Sequence, residues 1–266
     1  MIKPSPFQLS SSITDFAPLF GDLEYLFKKL KNTGIDGIEL VIGIKSRWSA
    51  KRIRYLSQKY DLPIRSIHQP IWSGLGVDIW FDEGFVDVAK VLGTNKVVFH
   101  PLMNIPFHHN HMQSYLKKLA QLQEDKGIEV LLENLPRQYK PKIANYFFSS
   151  AKDTMDMEAL FHVTETFGLK INLDIDHLKL PAPHEEPWFQ KVLPRIGNIH
   201  LSSFAPGKEH LPLYLGDFQV KEFIQALRDN NYKGLLTCEL YYPQVIDWFG
   251  YEFASVKQSV ALVKSV

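Results

Sequence analysis

Eight short β-rich runs, each followed by a longer amphipathic stretch, fill the chain from near residue 7 to near residue 263. This alternation constrains the fold more than any other feature, because parallel strands cannot be joined by tight turns and need crossover helices. The strand-like runs are 7–13, 37–42, 64–70, 96–101, 128–135, 170–176, 198–203 and 235–240. Helical periodicity occupies 23–31, 50–59, 81–92, 112–125, 157–167, 188–196, 220–230 and 255–263. The chain has 266 residues, close to the roughly 250 typical of a (β/α)8 TIM barrel. The expectation is therefore an α/β protein in which residues 1–266 form one barrel domain. Glycines recur where a helix should hand over to a strand, at Gly34, Gly127, Gly168, Gly197 and Gly234. Each is expected at the left-handed position that closes a helix. An open, doubly wound sheet fits less well. The glycine-rich turn after its first strand is missing, and polar residues close nearly every run rather than lining one crevice.

The strand ends carry the chemistry. Alternate residues of a barrel strand face inward, so an ionisable residue in the inward set at the carboxyl end faces the mouth. The fifth run reads Glu129-Val130-Leu131-Leu132-Glu133, with Glu133 opposite in phase to Val130 and Leu132. The sixth places Asn172, Asp174 and Asp176 on the face opposite three apolar residues. His200 in the seventh and Glu239 in the eighth repeat the pattern. Glu133, Asp174, His200 and Glu239 are thus expected to converge. Three carboxylates crowded together repel and lose hydration, which a bound dication relieves. The third and fourth runs end in His68-Gln69-Pro70 and His100-Pro101. His108, His109 and His111 resemble a metal tract but read better as a solvated loop, since nothing fixes their mutual geometry.

Bulk properties narrow the partners. With 22% charged residues and a net charge of +1, the chain lacks the excess charge that draws proteins to nucleic acid or anionic membranes. No apolar run reaches membrane-spanning length. Met1–Pro6 lacks the layout of a signal peptide, and a single cysteine, Cys238, permits no internal disulfide. The expectation is a cytoplasmic protein acting on a small molecule, with self-association left open. Any metal it binds is held by nitrogen and oxygen.

At Gly37-Ile38-Glu39-Leu40, His68-Gln69-Pro70, His100-Pro101, Glu133-Asn134, Asp174-x-x-His177, His200-Leu201-Ser202 and Cys238-Glu239-Leu240, the sequence resembles the xylose-isomerase-like barrel superfamily, over essentially its whole length. That superfamily includes sugar isomerases, epimerases, inosose dehydratases and the endonuclease IV group. The resemblance implies one divalent ion, manganese, zinc, cobalt or magnesium, held by Glu133, Asp174, His200 and Glu239. It implies a ketose or ketose-phosphate isomerase or epimerase that works through an enediolate, with Glu133 and Glu239 moving the proton. His68, His100, His177, His210, Trp72 and Lys208 are then expected to bind substrate. His177 would hydrogen-bond a substrate oxygen; Trp72, like Phe204, either stacks on a sugar face or packs in the core or rim, and Lys208, Arg137 and Lys179 either meet a phosphate or stand solvated. The alternative implied by the same residues is a zinc phosphodiesterase of the endonuclease IV kind, cutting DNA at abasic sites. His68, His100, Glu133, Asp174, His177, His200, His210 and Glu239 all fall where that group has ligands. Its Asp-Arg-His reads Lys208-Glu209-His210 here, which removes one ligand of a third zinc.

Overall fold

A computed structural model describes residues 7–14, 23–41, 49–69, 83–102, 105–135, 156–240 and 253–266. Its barrel strands are β1 (Gln8–Thr14), β2 (Gly37–Val41), β3 (Ile64–His68), β4 (Lys96–Phe99), β5 (Glu129–Glu133), β6 (Lys170–Asp174), β7 (Ile196–Leu201) and, after two strands outside the barrel, β10 (Leu235–Cys238). All pair in parallel and close in the order β1-β10-β7-β6-β5-β4-β3-β2. The expected (β/α)8 barrel is the observed fold. Strands covered on both faces read as continuous apolar runs, and β2 and β7 are buried at every residue.

The helices form the outer layer by burying one stripe each. In α1 (Leu23–Lys31) the buried stripe is Leu23, Leu26, Phe27 and Leu30, with Lys28, Lys29 and Lys31 in its last turn. α2 (Ala50–Lys59) starts at Ser49, whose side chain accepts from Arg52 N, and α5 (Met157–Thr166) starts at Asp156, which accepts from Glu158 N and Ala159 N. Both caps satisfy amides that the helix leaves without partners. Between them lie α3 (Glu83–Leu92) and α4 (Asn110–Lys126). After β7 come α8 (Val220–Asp229) and α9 (Ala254–Ser265).

Several expectations need correction. Gly34, Gly127 and Gly168 have positive φ as foreseen, and so does Gly93, which was not foreseen. Gly197 and Gly234 do not. Gly197 lies inside β7, where a Cβ would sit 2.6 Å from Leu131 Cδ2, so the site demands a missing side chain rather than a left-handed backbone. Gly234 is crowded in the same way by the Tyr232 ring. The helix expected over 188–196 is broken into α7 (Phe189–Val192) and a 3-10 turn, Leu193–Arg195. Pro194 at that junction has no amide to continue the ladder, and β7 accordingly starts at Ile196. Strand six stops at Asp174, and α6 (Ile175–Leu178) carries Asp176 on a helical turn instead of an inward strand face. A hairpin of β8 (Ser203–Ala205) and β9 (Lys208–Leu211) follows β7. Its turn contains Pro206 and Gly207, a pair that favours reversal.

Candidate metal centre

Glu133 ends β5, Asp174 ends β6, His200 lies one residue before the end of β7, and Glu239 follows β10. All four are buried. One ligand atom from each lies within 4.8 Å of the others, so the four residues expected to converge do converge. His200 Nδ1 stands 2.9 Å from Glu239 Oε2 and 3.8 Å from both Asp174 Oδ2 and Glu133 Oε2. The register explains part of this, because Asp174 and His200 are direct partners across β6 and β7.

Neighbouring groups fix the ligands. Asp174 caps α6, its Oδ1 accepting from His177 N at 3.0 Å, which leaves Oδ2 for the cluster. Asn134 clamps the backbone of the same residue: its Oδ1 accepts from Asp174 N at 2.7 Å and its Nδ2 donates to Asp174 O at 2.9 Å. Glu133 is ringed by imidazoles, with His68 Nε2 at 2.8 Å, His177 Nδ1 at 3.2 Å and His100 Nε2 at 3.6 Å.

Two buried carboxylate oxygens, Asp174 Oδ2 and Glu239 Oε2, accept no hydrogen bond. The nearby His200 Nδ1 is close to Glu239 Oε2 but is not aligned on it. A buried acceptor without a donor costs about 1–3 kcal/mol, a cost that a cation among these atoms removes. One imidazole nitrogen and three carboxylates form an all nitrogen and oxygen set suited to manganese, zinc, cobalt or magnesium. The residues therefore fit a divalent ion.

Electrostatics agree with the geometry. Burial opposes ionisation of Glu133, yet His200, His100, His177 and His68 hold its carboxyl well below the usual range. Burial likewise opposes charge on Asp174, and His177, His200 and His210 overcome it and lower its pKa. His177 is disfavoured as a cation by burial, but Asp174, Glu133 and Glu239 raise its pKa to about 10. His200 is raised well above its ordinary value by Glu39, Glu239 and Glu133 against the same penalty. His68 is raised, whereas burial wins at His100 and lowers it. The difference follows from neighbouring charge: at His68 the carboxylates of Glu133 and Glu39 outweigh burial, whereas at His100 the charges of His68 and His177 add to burial against Glu133.

Three further donor groups overlap the quartet: His68 with His200 and Glu239, and, flanking it, His68 with His100 and Glu133 and Asp174 with His177 and His210. His210 comes from β9, and the buried Asp176 holds it there by accepting from His210 N at 2.9 Å. Lys179 also donates to Asp176, at 2.6 Å, and lies over the Phe204 ring. That ring is buried and covered by an ammonium, so it packs instead of offering a free stacking face. Lys208 is exposed on the hairpin, two residues before His210. Trp72 and Arg137 lie outside the described residues. His109 caps α4, accepting from His111 N, and meets the His111 ring edge-on with centroids 5.1 Å apart, but among the described residues no donor group of metal-ligand spacing includes His108, His109 or His111. Asn134, Asn172 and Asp176 were not singled out as site residues. Asn134 could have been found as the partner of Glu133 in its motif.

A closed parallel barrel with carboxylates and imidazoles gathered at the carboxyl ends of its strands puts donors of metal-ligand spacing where barrel active sites lie. Residues 27–265 match the xylose isomerase-like TIM barrel family, and the chain belongs to it. An uncharacterized protein of Mycobacterium tuberculosis is 24% identical over 243 residues, covering 82% of this chain and 83% of its own. Among solved structures, a xylose isomerase domain containing protein from Salmonella typhimurium superposes with a TM-score of 0.71 at 20% identity, covering 97% of each chain. A D-allulose 3-epimerase from Methylomonas sp., in complex with D-allulose, superposes with a TM-score of 0.70 at 15% identity over 100% of this chain and 99% of its own.

Proposed function

We propose that this protein is a divalent-metal-dependent isomerase or epimerase acting on a ketose or ketose phosphate. The observation that carries the reading is the buried quartet of Glu133, Asp174, His200 and Glu239, with two orphaned carboxylate oxygens facing one imidazole nitrogen. The similarity to a D-allulose 3-epimerase supports it. A bound divalent ion supplies Lewis-acid polarisation of a carbonyl and stabilises the enediolate charge.

The chain's own residues divide the remaining work. Glu133 and Glu239 come from β5 and β10, with β6 and β7 between them in the barrel, so they approach one substrate carbon from different sides. One carboxylate removes the proton beside the carbonyl and the other returns it on the opposite face, which is two-base epimerisation. Glu133 is kept ionised by its ring of histidines. His177 is 15% exposed and charged at neutral pH, and it donates to the substrate oxygen that gains charge. His68 and His100 steady Glu133, and His210 on its hairpin lies beside His177, ring centroids 5.7 Å apart. The reading includes a cytoplasmic location, supported by Cys238, which is free and buried. No described helix is long and apolar enough to cross a membrane.

A second reading, the zinc phosphodiesterase cutting abasic DNA, is favoured by the two flanking donor groups, which offer places for more than one ion. Lys208, exposed where that group has a ligand aspartate, weighs against it. Incubation of the metal-loaded protein in heavy water with a panel of ketoses and ketose phosphates separates the two. Deuterium next to the carbonyl is expected. No exchange in any sugar together with cleavage of an abasic duplex reverses the order.

A further inference from the structure

We infer that Glu39 is a positioning residue for the metal centre, holding the proton on His200 Nε2 so that Nδ1 is reserved for the ion. This rests on the metal reading above and extends it to a residue on the opposite side of the barrel. Glu39 lies in β2 and His200 in β7, strands that are not neighbours. Their contact therefore crosses the barrel interior beneath the quartet. His200 Nε2 is 2.9 Å from Glu39 Oε1, and both side chains are fully buried. Neither atom has a hydrogen-bond partner elsewhere, and the ring is not turned to align its N–H on the oxygen. Each is thus the other's remaining candidate.

The proton count along the barrel floor gives the direction. Ser10 Oγ and Thr237 Oγ1 are 2.7 Å apart, and Thr237 Oγ1 donates to Asn198 Oδ1 at 2.9 Å, so Ser10 is the donor of the first pair. Asn198 Nδ2 then donates to Glu39 Oε2 at 3.2 Å, and Ser66 Oγ donates to the same oxygen at 2.7 Å. These donors, from β1, β10, β7 and β3, form chains that end at Glu39. Its Oε2 is occupied twice, and its Oε1 is left for the one remaining donor, His200 Nε2–H. A neutral imidazole carries one proton, so a proton held on Nε2 leaves a lone pair on Nδ1. That nitrogen faces Glu239, Asp174 and Glu133, and Asn172 Nδ2 stands 3.2 Å from it. Carboxylates that hold the far nitrogen of a ligating histidine fix its tautomer and ring orientation, and their loss costs 10–100-fold in metal affinity.

The test uses zinc alone. Affinity is measured by chelator competition for the wild type, Glu39→Gln and Glu39→Leu, and the His200 tautomer is read from long-range proton–nitrogen spectra of the zinc-loaded protein. The wild type should show the proton on Nε2. Glu39→Gln keeps an accepting oxygen, so it should retain that tautomer and bind zinc within about threefold of the wild type. Glu39→Leu should weaken binding about 10–100-fold. A folded Glu39→Leu protein that binds zinc as tightly as the wild type overturns the inference while leaving the metal reading intact. So does a wild-type spectrum with the proton on Nδ1, which decides the matter even if Glu39→Leu does not fold. A wild type that takes up no zinc overturns the metal reading and this inference together.

Discussion

Asn134→Ala should be more damaging than its position beside the quartet suggests. The side chain is fully buried and replaces backbone pairing at the end of β6, accepting from Asp174 N and donating to Asp174 O. Truncation leaves Asp174 N without the Asn134 acceptor in a buried site, while Asp174 O keeps the helical bond it accepts as the N-cap of α6. The orphaned amide costs about 1–3 kcal/mol. Against a domain stability of about 5–15 kcal/mol, that is a large fraction. Because Asp174 would lose its clamp, metal affinity should fall in parallel. Asn134→Asp separates the two bonds: it can still accept from Asp174 N, loses the donor to Asp174 O, and adds charge to a carboxylate cluster. The assay is urea unfolding of the metal-free proteins, with zinc affinity measured by chelator competition. Asn134→Ala with an unchanged urea midpoint and unchanged zinc affinity would refute the reasoning.

Gly197→Ala should destabilise by about 1–3 kcal/mol through overpacking against Leu131, read as a lower melting temperature, with zinc affinity unchanged; an unaltered melting temperature would contradict the crowding at this glycine. The metal-free protein should lose stability in base. The folded pKa of His177 is about 10 against an ordinary 6.5, a raised value, so its contribution is complete below the unfolded pKa and disappears as pH rises through about 10. Between pH values of about 6 and about 9.5 the His177 contribution to the loss is about 4 kcal/mol, measured by urea unfolding as the amount by which the loss shrinks in His177→Gln, where the raised His200 and His68 still contribute. Asp176→Ala should free the hairpin, seen as about tenfold faster hydrogen exchange at the His210 amide, because that amide then has no acceptor.

The barrel was legible because two periodicities alternate along the chain and because inward phase at a strand end is simple parity. Parity alone put Glu133, Asp174, His200 and Glu239 in one place. It failed at Asp176, where the chain turns into α6 one residue after Asp174 and the period changes from two to that of a helix. Glycine was ambiguous for a physical reason. The same residue serves where φ must be positive, as at Gly127, and where a Cβ has no room, as at Gly197, and neighbouring letters do not say which. The hairpin that delivers His210 is short, with a Pro206-Gly207 turn as its main local sign. Glu39 appeared only as a letter in an apolar motif, since its partners are set by barrel closure: Asn198 lies 159 residues away in sequence. Which nitrogen of His200 faces the quartet is likewise a property of the folded ring.

The central claim is that four side chains hold one divalent ion at the barrel mouth. Metal content per chain, measured after equilibration with manganese or zinc in the wild type and in Glu133→Ala, Asp174→Ala, His200→Ala and Glu239→Ala, tests it most directly. The account predicts one ion in the wild type and a marked loss in each variant, with circular dichroism showing the barrel still folded. No ion in the wild type, or full occupancy in any two of the four variants, contradicts it.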